Sequence, residues 1–147
     1  RFDAISRTYK YYINKEKDVF FNEYGYHINY SLNNKKINEA IKIIVNNNDF
    51  KCFTKSKTDV TNYTCDIIDA KWIELDQEYV FKIKANRFLR NMVRSIVGTL
   101  IDIGLEKTSI NGLIKIIKSK DRSMAGYSVP AKGLFLTKIN YPKKIFK

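Results

Sequence analysis

From Lys84 to Gly104 the apolar residues recur at about 100° per residue, the period of an amphipathic helix. Phe88, Leu89, Met92, Val93, Ile96, Leu100 and Ile103 fall on one broad arc. Burying about six such side chains, at roughly 1.5–3 kcal/mol each, would anchor a domain. Arg87, Arg90 and Arg94 fall on another face at i, i+3 and i+7, and Gly98 continues that face. A glycine inside a helix costs about 0.5–1 kcal/mol against alanine, so Gly98 predicts close approach by another segment. Asn86 is the predicted N-cap and Gly104 the predicted C-terminal stop.

Other periods flank this stretch. Arg7–Asn14 alternates as a strand, with Tyr9, Tyr11 and Ile13 on one side and Thr8, Lys10 and Tyr12 on the other. Lys15–Ser31 has no regular pattern, and its His27 reads as a surface or packing residue. Asn33 or Asn34 can cap a helix running to about Asn46, buried through Ile37, Ala40, Ile41 and Ile44. Phe50 and Phe53 read as anchors for the next loop, whose Lys51, Lys55 and Lys57 read as solvated. Cys65–Leu75 and Tyr79–Ala85 form a predicted hairpin turning at Asp76-Gln77-Glu78, with Tyr79, Phe81 and Ile83 on one side of its second strand. After the arginine-bearing helix, Ser109 caps another to about Lys118, with Ile110, Leu113, Ile114 and Ile117 inward. Lys120–Gly133 reads as a loop, Leu134–Tyr141 as the last strand, and Lys143–Lys147 as a basic tail. The order strand, helix, two strands, two helices, strand predicts an α+β fold: one antiparallel sheet with helices packed on one face.

Composition adds a partner class. The 147 residues suit a single domain, and 27 Lys and Arg against 15 Asp and Glu give a net charge of +12. With 14% aromatic residues, that balance favours RNA over a bare membrane surface. No apolar run reaches the roughly 18 residues of a membrane span. Cys52 and Cys65 have no metal-ligand spacing and read as idle free thiols in a reducing cytosol, which makes the expected location cytoplasmic. The chain starts at Arg1, just ahead of a strand, and reads as a piece of a longer protein. It shows no Gly-rich phosphate loop, Cys/His metal cluster, evident carboxylate pair or nucleophilic triad. The residues alone lead to a basic α+β domain that binds RNA.

Four stretches carry a resemblance further. Ala85-Asn86-Arg87-Phe88-Leu89-Arg90-Asn91-Met92-Val93-Arg94-Ser95-Ile96-Val97-Gly98 resembles the signature Asn-x-Phe-x-x-x-Met-Val-Arg-x-Ile-Val-Gly of the tRNA pseudouridine synthase A family. Arg1-Phe2 with Ser6-Arg7-Thr8-Tyr9-Lys10-Tyr11, Asp49-Phe50 with Phe53, and Ala131-Lys132-Gly133-Leu134-Phe135-Leu136 before Tyr141-Pro142 resemble its other motifs, in the same order.

The resemblance implies a pseudouridine-synthase-like fold and conversion of uridine to pseudouridine in the tRNA anticodon stem-loop, without a cofactor. It implies that Tyr9 stacks on a flipped uracil, that Leu134 packs beside it, and that Arg94 pairs with a nucleophilic aspartate. Lys10, Lys84, Arg87 and Arg90 become candidate phosphate contacts. The family's Gly-Arg-Thr-Asp-Ala-Gly motif, which carries that aspartate, does not occur here. Lys57-Thr58-Asp59-Val60 lacks its glycines, and Asp59 and Thr61 stand where Pro and a basic residue are expected. Residues 1–147 are therefore expected to be the C-terminal domain, inactive alone. Its implied partners are tRNA, the N-terminal half of the same polypeptide and a second copy in a homodimer. The alternative is a non-catalytic basic RNA-binding module. Tyr9 and Arg94 separate the two readings: an enzyme needs both in one cleft, and a plain binder does not.

Overall fold

A computed structural model describes residues 4–16, 24–55 and 61–142. The expected motif residues Arg1 and Phe2, the loop positions Lys57 and Asp59, and the tail 143–147 lie outside these. The elements are β1 (Ser6–Asn14), β2 (Tyr26–His27), α1 (Asn34–Val45), β3 (Ile67–Glu74), β4 (Glu78–Ala85), α2 (Met92–Gly104), α3 (Ile110–Ser119) and β5 (Leu134–Asn140). Short 3-10 turns occupy Lys51–Phe53, Arg122–Met124 and Ala131–Gly133.

β1 is the centre of a five-stranded sheet. β4 pairs antiparallel along one side of it, Tyr9 opposite Ile83 and Tyr11 opposite Phe81, and β3 extends the sheet beyond β4. The other side of β1 is shared by β5, antiparallel, and by the two residues of β2, which pair parallel at Ile13 and Asn14. The expected antiparallel sheet is therefore present, with one short parallel exception that lacked any periodic signal. Tyr11, Ile13, Tyr79, Phe81 and Ile83 lie buried on the face that the helices cover. Trp72 joins them, its indole N–H donating to Asn34 Oδ1 at 2.8 Å.

Two helices begin at their expected caps. Asn33 Oδ1 accepts from the Lys36 amide at 3.1 Å and Ser109 Oγ from the Gly112 amide at 2.9 Å, satisfying donors that a helix start leaves free. On α1 the buried residues are Ile37, Ala40, Ile41 and Ile44. On α3 they are Leu113 and Ile116, with Ile110 and Ile117 packed at the edge; Ile114, expected inward, is half-exposed. Phe50 and Phe53 are fully buried, and Cys52 and Cys65 are buried free thiols. Burial holds these thiols protonated, pushing Cys52 up to about 12 and Cys65 up to about 11.

The arginine-bearing helix is shorter than its periodicity. Asn86 is not its cap: its amide donates to the Asp66 carbonyl at 3.1 Å and its Oδ1 accepts from the Asp66 amide at 2.8 Å, which ties the end of β4 to the entrance of β3. Residues 86–91 form a turn, and α2 starts after Asn91, whose φ of 68° is left-handed. Asn tolerates that region better than most side chains. Nor is α2 two-faced: Ser95, Val97, Gly98, Thr99 and Ile101 are buried together with the apolar arc. Gly98 explains why. A Cβ there would sit 1.7 Å from the Tyr127 carbonyl oxygen, so the 120–133 segment lies directly against the helix backbone. Among the described residues no helix is long and apolar enough to cross a membrane.

Candidate active site

The turn 86–91, the first turn of α2 and the helix-facing side of β1 enclose a pocket of about 390 Å³, within the usual range for small-molecule sites. Its lining includes Tyr9, Phe88, Arg90, Arg94, Leu134 and Lys55. Strand alternation puts Tyr9 on this side, and the β1–β4 pairing sets it beside the strand that leads into the turn. Phe88 meets Tyr9 edge to face, ring centroids 5.0 Å apart and planes at 88°. That contact holds the Tyr9 ring upright while leaving it half-exposed. Leu134 enters from β5, opposite Tyr11.

Arg94 is the one cation on α2 and is half-buried. Its Nε–H donates to the Val129 carbonyl at 2.7 Å, and the Val129 amide returns a bond to the Arg94 carbonyl at 3.2 Å. The close approach at Gly98 brings this segment near enough for both bonds. With Nε engaged, the two terminal nitrogens of the guanidinium meet no acceptor among the described residues. Among the described residues no carboxylate pairs with Arg94. Tyr11, buried beneath, donates its hydroxyl to the Pro130 carbonyl at 2.6 Å, and burial pushes that phenol well above its ordinary range. Gly133 leaves the room Tyr11 needs, since a Cβ there would lie 2.6 Å from Tyr11 Cζ.

The structure thus gathers Tyr9, Leu134, Arg90 and Arg94 around one pocket, and places the other three candidates elsewhere. Arg87 turns away, its Nη1 donating to the Asn62 and Thr64 carbonyls, both at 3.3 Å. Arg87 and Arg90 belong to the turn and not to the helix, which corrects the single arginine face expected from periodicity. Lys10 and Lys84 lie on the outer face of the sheet, because Lys10 faces Lys82 and Lys84 faces Thr8. Lys82 also faces Lys71, so three lysines stand in a row across β3, β4 and β1. Like charges directly opposite repel.

Three contributors to the pocket give little sign of it in the sequence. Phe88 fits the core arc by its period and does pack at the core's edge, but its edge-to-face contact with Tyr9 carries no sequence signal. Lys55 reads as a solvated loop residue and is exposed; what the sequence does not show is that its amide donates to the Arg90 carbonyl at 3.1 Å and that the residue lines the pocket. Asn91 follows Arg90 between the apolar pairs Phe88-Leu89 and Met92-Val93, and nothing local signals its role. Its left-handed backbone ends the turn and its side-chain amide donates to Ser128 Oγ. Among the described residues no group of three or more His, Cys, Asp or Glu is placed to hold a metal ion.

Comparison with known proteins gives a family. The model of a family described as tRNA pseudouridine synthase matches residues 40–142. A tRNA pseudouridine synthase A from Azobacteroides pseudotrichonymphae is 50% identical over 147 residues, covering 100% of this chain and 59% of the relative. Its counterpart from Parabacteroides distasonis is 46% identical over 146 residues, covering 99% and 58%. That from Bacillus subtilis is 37% identical over 143 residues, covering 96% and 58%. The chain therefore spans a little under three-fifths of these relatives' length. With a family match over most of its residues, the chain belongs to the tRNA pseudouridine synthase family.

Proposed function

We propose that this chain supplies the uridine-binding half of a tRNA pseudouridine synthase cleft, acting on the anticodon stem-loop. The observation that carries the reading is Arg94: a half-buried guanidinium, braced on Val129, that lines a pocket beside an upright tyrosine and has no carboxylate partner among the described residues. An RNA-binding module without chemistry has no use for that pairing.

In this reading the target uridine leaves its stack and enters the pocket. Tyr9 stacks on the uracil, Leu134 closes its side, and Arg94 presents its free edge to a nucleophilic aspartate supplied from outside this sequence. An adjacent guanidinium lowers a carboxylate's pKa and fixes its orientation. The aspartate begins cleavage of the bond between the ribose C1′ and uracil N1; the base turns, C1′ bonds to C5, the C5 proton is lost and N1 gains one. Atoms and electrons balance without a cofactor. β5 carries exposed Phe135, Leu136 and Ile139 and pairs only with β1 among the described residues. An open apolar edge of this kind suits the remaining half of the enzyme or a second copy. The two buried free thiols suit a cytoplasmic protein.

Exchange tests this. The matched segment of the Parabacteroides distasonis enzyme is replaced by this chain, and tritium release from the uracil C5 position of tRNA is measured. The chimera is expected to form pseudouridine and the chain alone to form none. A folded but inactive chimera, or robust turnover by the chain alone, would refute the proposal.

A further inference from the structure

Beside the first pocket lies a second, of about 650 Å³, between the turns Lys51–Phe53 and Arg122–Met124. Four cations line it: Lys51, Lys55, Lys120 and Arg122. They come from two segments far apart in the chain, so the fold assembles the cluster. Two carboxylates stand beside them, and one of these, Asp49, is paired with a cation of the cluster. Asp121 accepts from the Ser123 amide at 2.9 Å and its hydroxyl at 2.8 Å. Asp49 accepts from the Lys51 amide at 3.0 Å and pairs with Lys120 Nζ at 3.4 Å. Arg122 is half-buried, donates through Nη2 to Ser128 Oγ at 2.8 Å and pairs with no carboxylate among the described residues. An excess of positive charge in a concave site raises the local concentration of anions.

The two pockets are joined. Lys55 lines both, and the Arg90 carbonyl accepts from the Lys55 amide at 3.1 Å and from Thr54 Oγ1 at 3.2 Å, which fixes the wall between them. Arg90 stands on one side of that wall and Lys51 on the other. Tyr63 adds a half-exposed ring with Lys51 Nζ 5.5 Å from its centroid. Cations interleaved with an aromatic ring match a single RNA strand, which offers phosphates and base faces in alternation.

We propose that this second pocket seats the RNA phosphodiester groups flanking the uridine held in the first. The identity of the strand rests on the function proposed above; the anion chemistry does not. Lys51, Lys120 and Arg122 each bind phosphate, and Lys55 takes the phosphate at the passage between pockets. Such phosphate binding fixes register and leaves sequence unread.

The test measures anisotropy of a fluorescein-labelled RNA stem-loop with a single loop uridine, bound by the full chain across a salt series. The triple variant Lys51→Gln/Lys120→Gln/Arg122→Gln is expected to flatten the plot of log affinity against log salt by about 2, at roughly 0.7 for each single-strand phosphate deprived of its cation. Its affinity at low salt is expected to fall at least about tenfold. Lys35→Gln/Lys42→Gln/Lys115→Gln removes equal charge from exposed helix positions and is expected to change the slope by less than about 0.5. If Arg122 proves necessary for folding, as a missing melting transition would reveal, Lys51→Gln/Lys120→Gln is used, with a change of about 1.4 expected. Equal slope changes in the pocket and control variants would overturn the proposal, and so would an unchanged slope in the pocket variant. Repeating the series with an abasic site in place of the uridine separates the two readings. The slope change belongs to the phosphate seat and is expected to persist, whereas the penalty of Tyr9→Ala belongs to the uracil and is expected to vanish.

Discussion

Replacing Arg94 with Met separates its chemical role from its structural one. Methionine favours helix and replaces most of the aliphatic stem, so α2 is expected to form. What the structure adds is a cost. The Val129 carbonyl that accepts from Arg94 Nε belongs to a fully buried residue, and removing this charge-assisted bond leaves an acceptor without its donor. A loss of about 1–3 kcal/mol follows, which lowers the melting temperature by roughly 2–4 °C per kcal/mol in a chain of this size. The substitution is therefore not silent in stability, although its place off the apolar arc suggests that it would be. The loss of turnover is larger. Removing one partner of a desolvated ion pair costs about 3–5 kcal/mol, so tritium release by the chimera is expected to fall at least about a hundredfold. Arg94→Lys retains charge but cannot brace on Val129 and offer a two-pronged edge to a carboxylate at once. It should lie between the two in activity and near wild type in charge-dependent RNA binding. Melting curves and single-turnover rates on the same preparations decide the matter. If activity per folded molecule stays at wild-type level in Arg94→Met, Arg94 is a structural residue and the carboxylate pairing is wrong.

Three further outcomes are expected. Tyr9→Phe in the chimera should retain most turnover, because stacking and the edge contact with Phe88 need only the ring, while Tyr9→Ala should lose roughly 1–3 kcal/mol of substrate binding; equal losses would assign the role to the hydroxyl. Gly98→Ala drives a Cβ into the Tyr127 carbonyl oxygen and should destabilise by about 3 kcal/mol or more in urea titrations, whereas a neutral result would mean that the 120–133 segment packs elsewhere. Stability should fall as pH rises from about 9 toward 12, since the unfolded chain releases its thiol protons near their ordinary value while burial keeps Cys52 and Cys65 protonated in the fold. The slope approaches about 1.4 kcal/mol per pH unit for each thiol, is absent below about pH 8, and flattens in Cys52→Ala.

Local chemistry accounts for what the sequence determined by itself. Asn33 and Ser109 start their helices because a side-chain acceptor and the free amides of the first turn are neighbours in the chain. The alternation through β1 and β4 places Tyr9 and Tyr11 on one face and Lys10 on the other, since successive strand side chains point to opposite sides. Even Gly98 announced a close neighbour, although not which one. The matched motifs singled out Tyr9, Arg94 and Leu134, and these line one pocket.

Tertiary structure decided the rest, for reasons no local period carries. The apolar spacing runs unbroken through residues 86–91, but Asn86 is drawn to Asp66 across the hairpin and Asn91 turns left-handed, so two of three arginines leave the helix. Phe88 and Leu89 fit a helical stripe and are packed by a turn instead, because burial rewards apolar surface whatever backbone presents it. The cluster of Lys51, Lys55, Lys120 and Arg122 was illegible for the same kind of reason. Each residue alone is an ordinary basic loop position, and only the packing of two distant turns against one another brings four like charges into a single concave site.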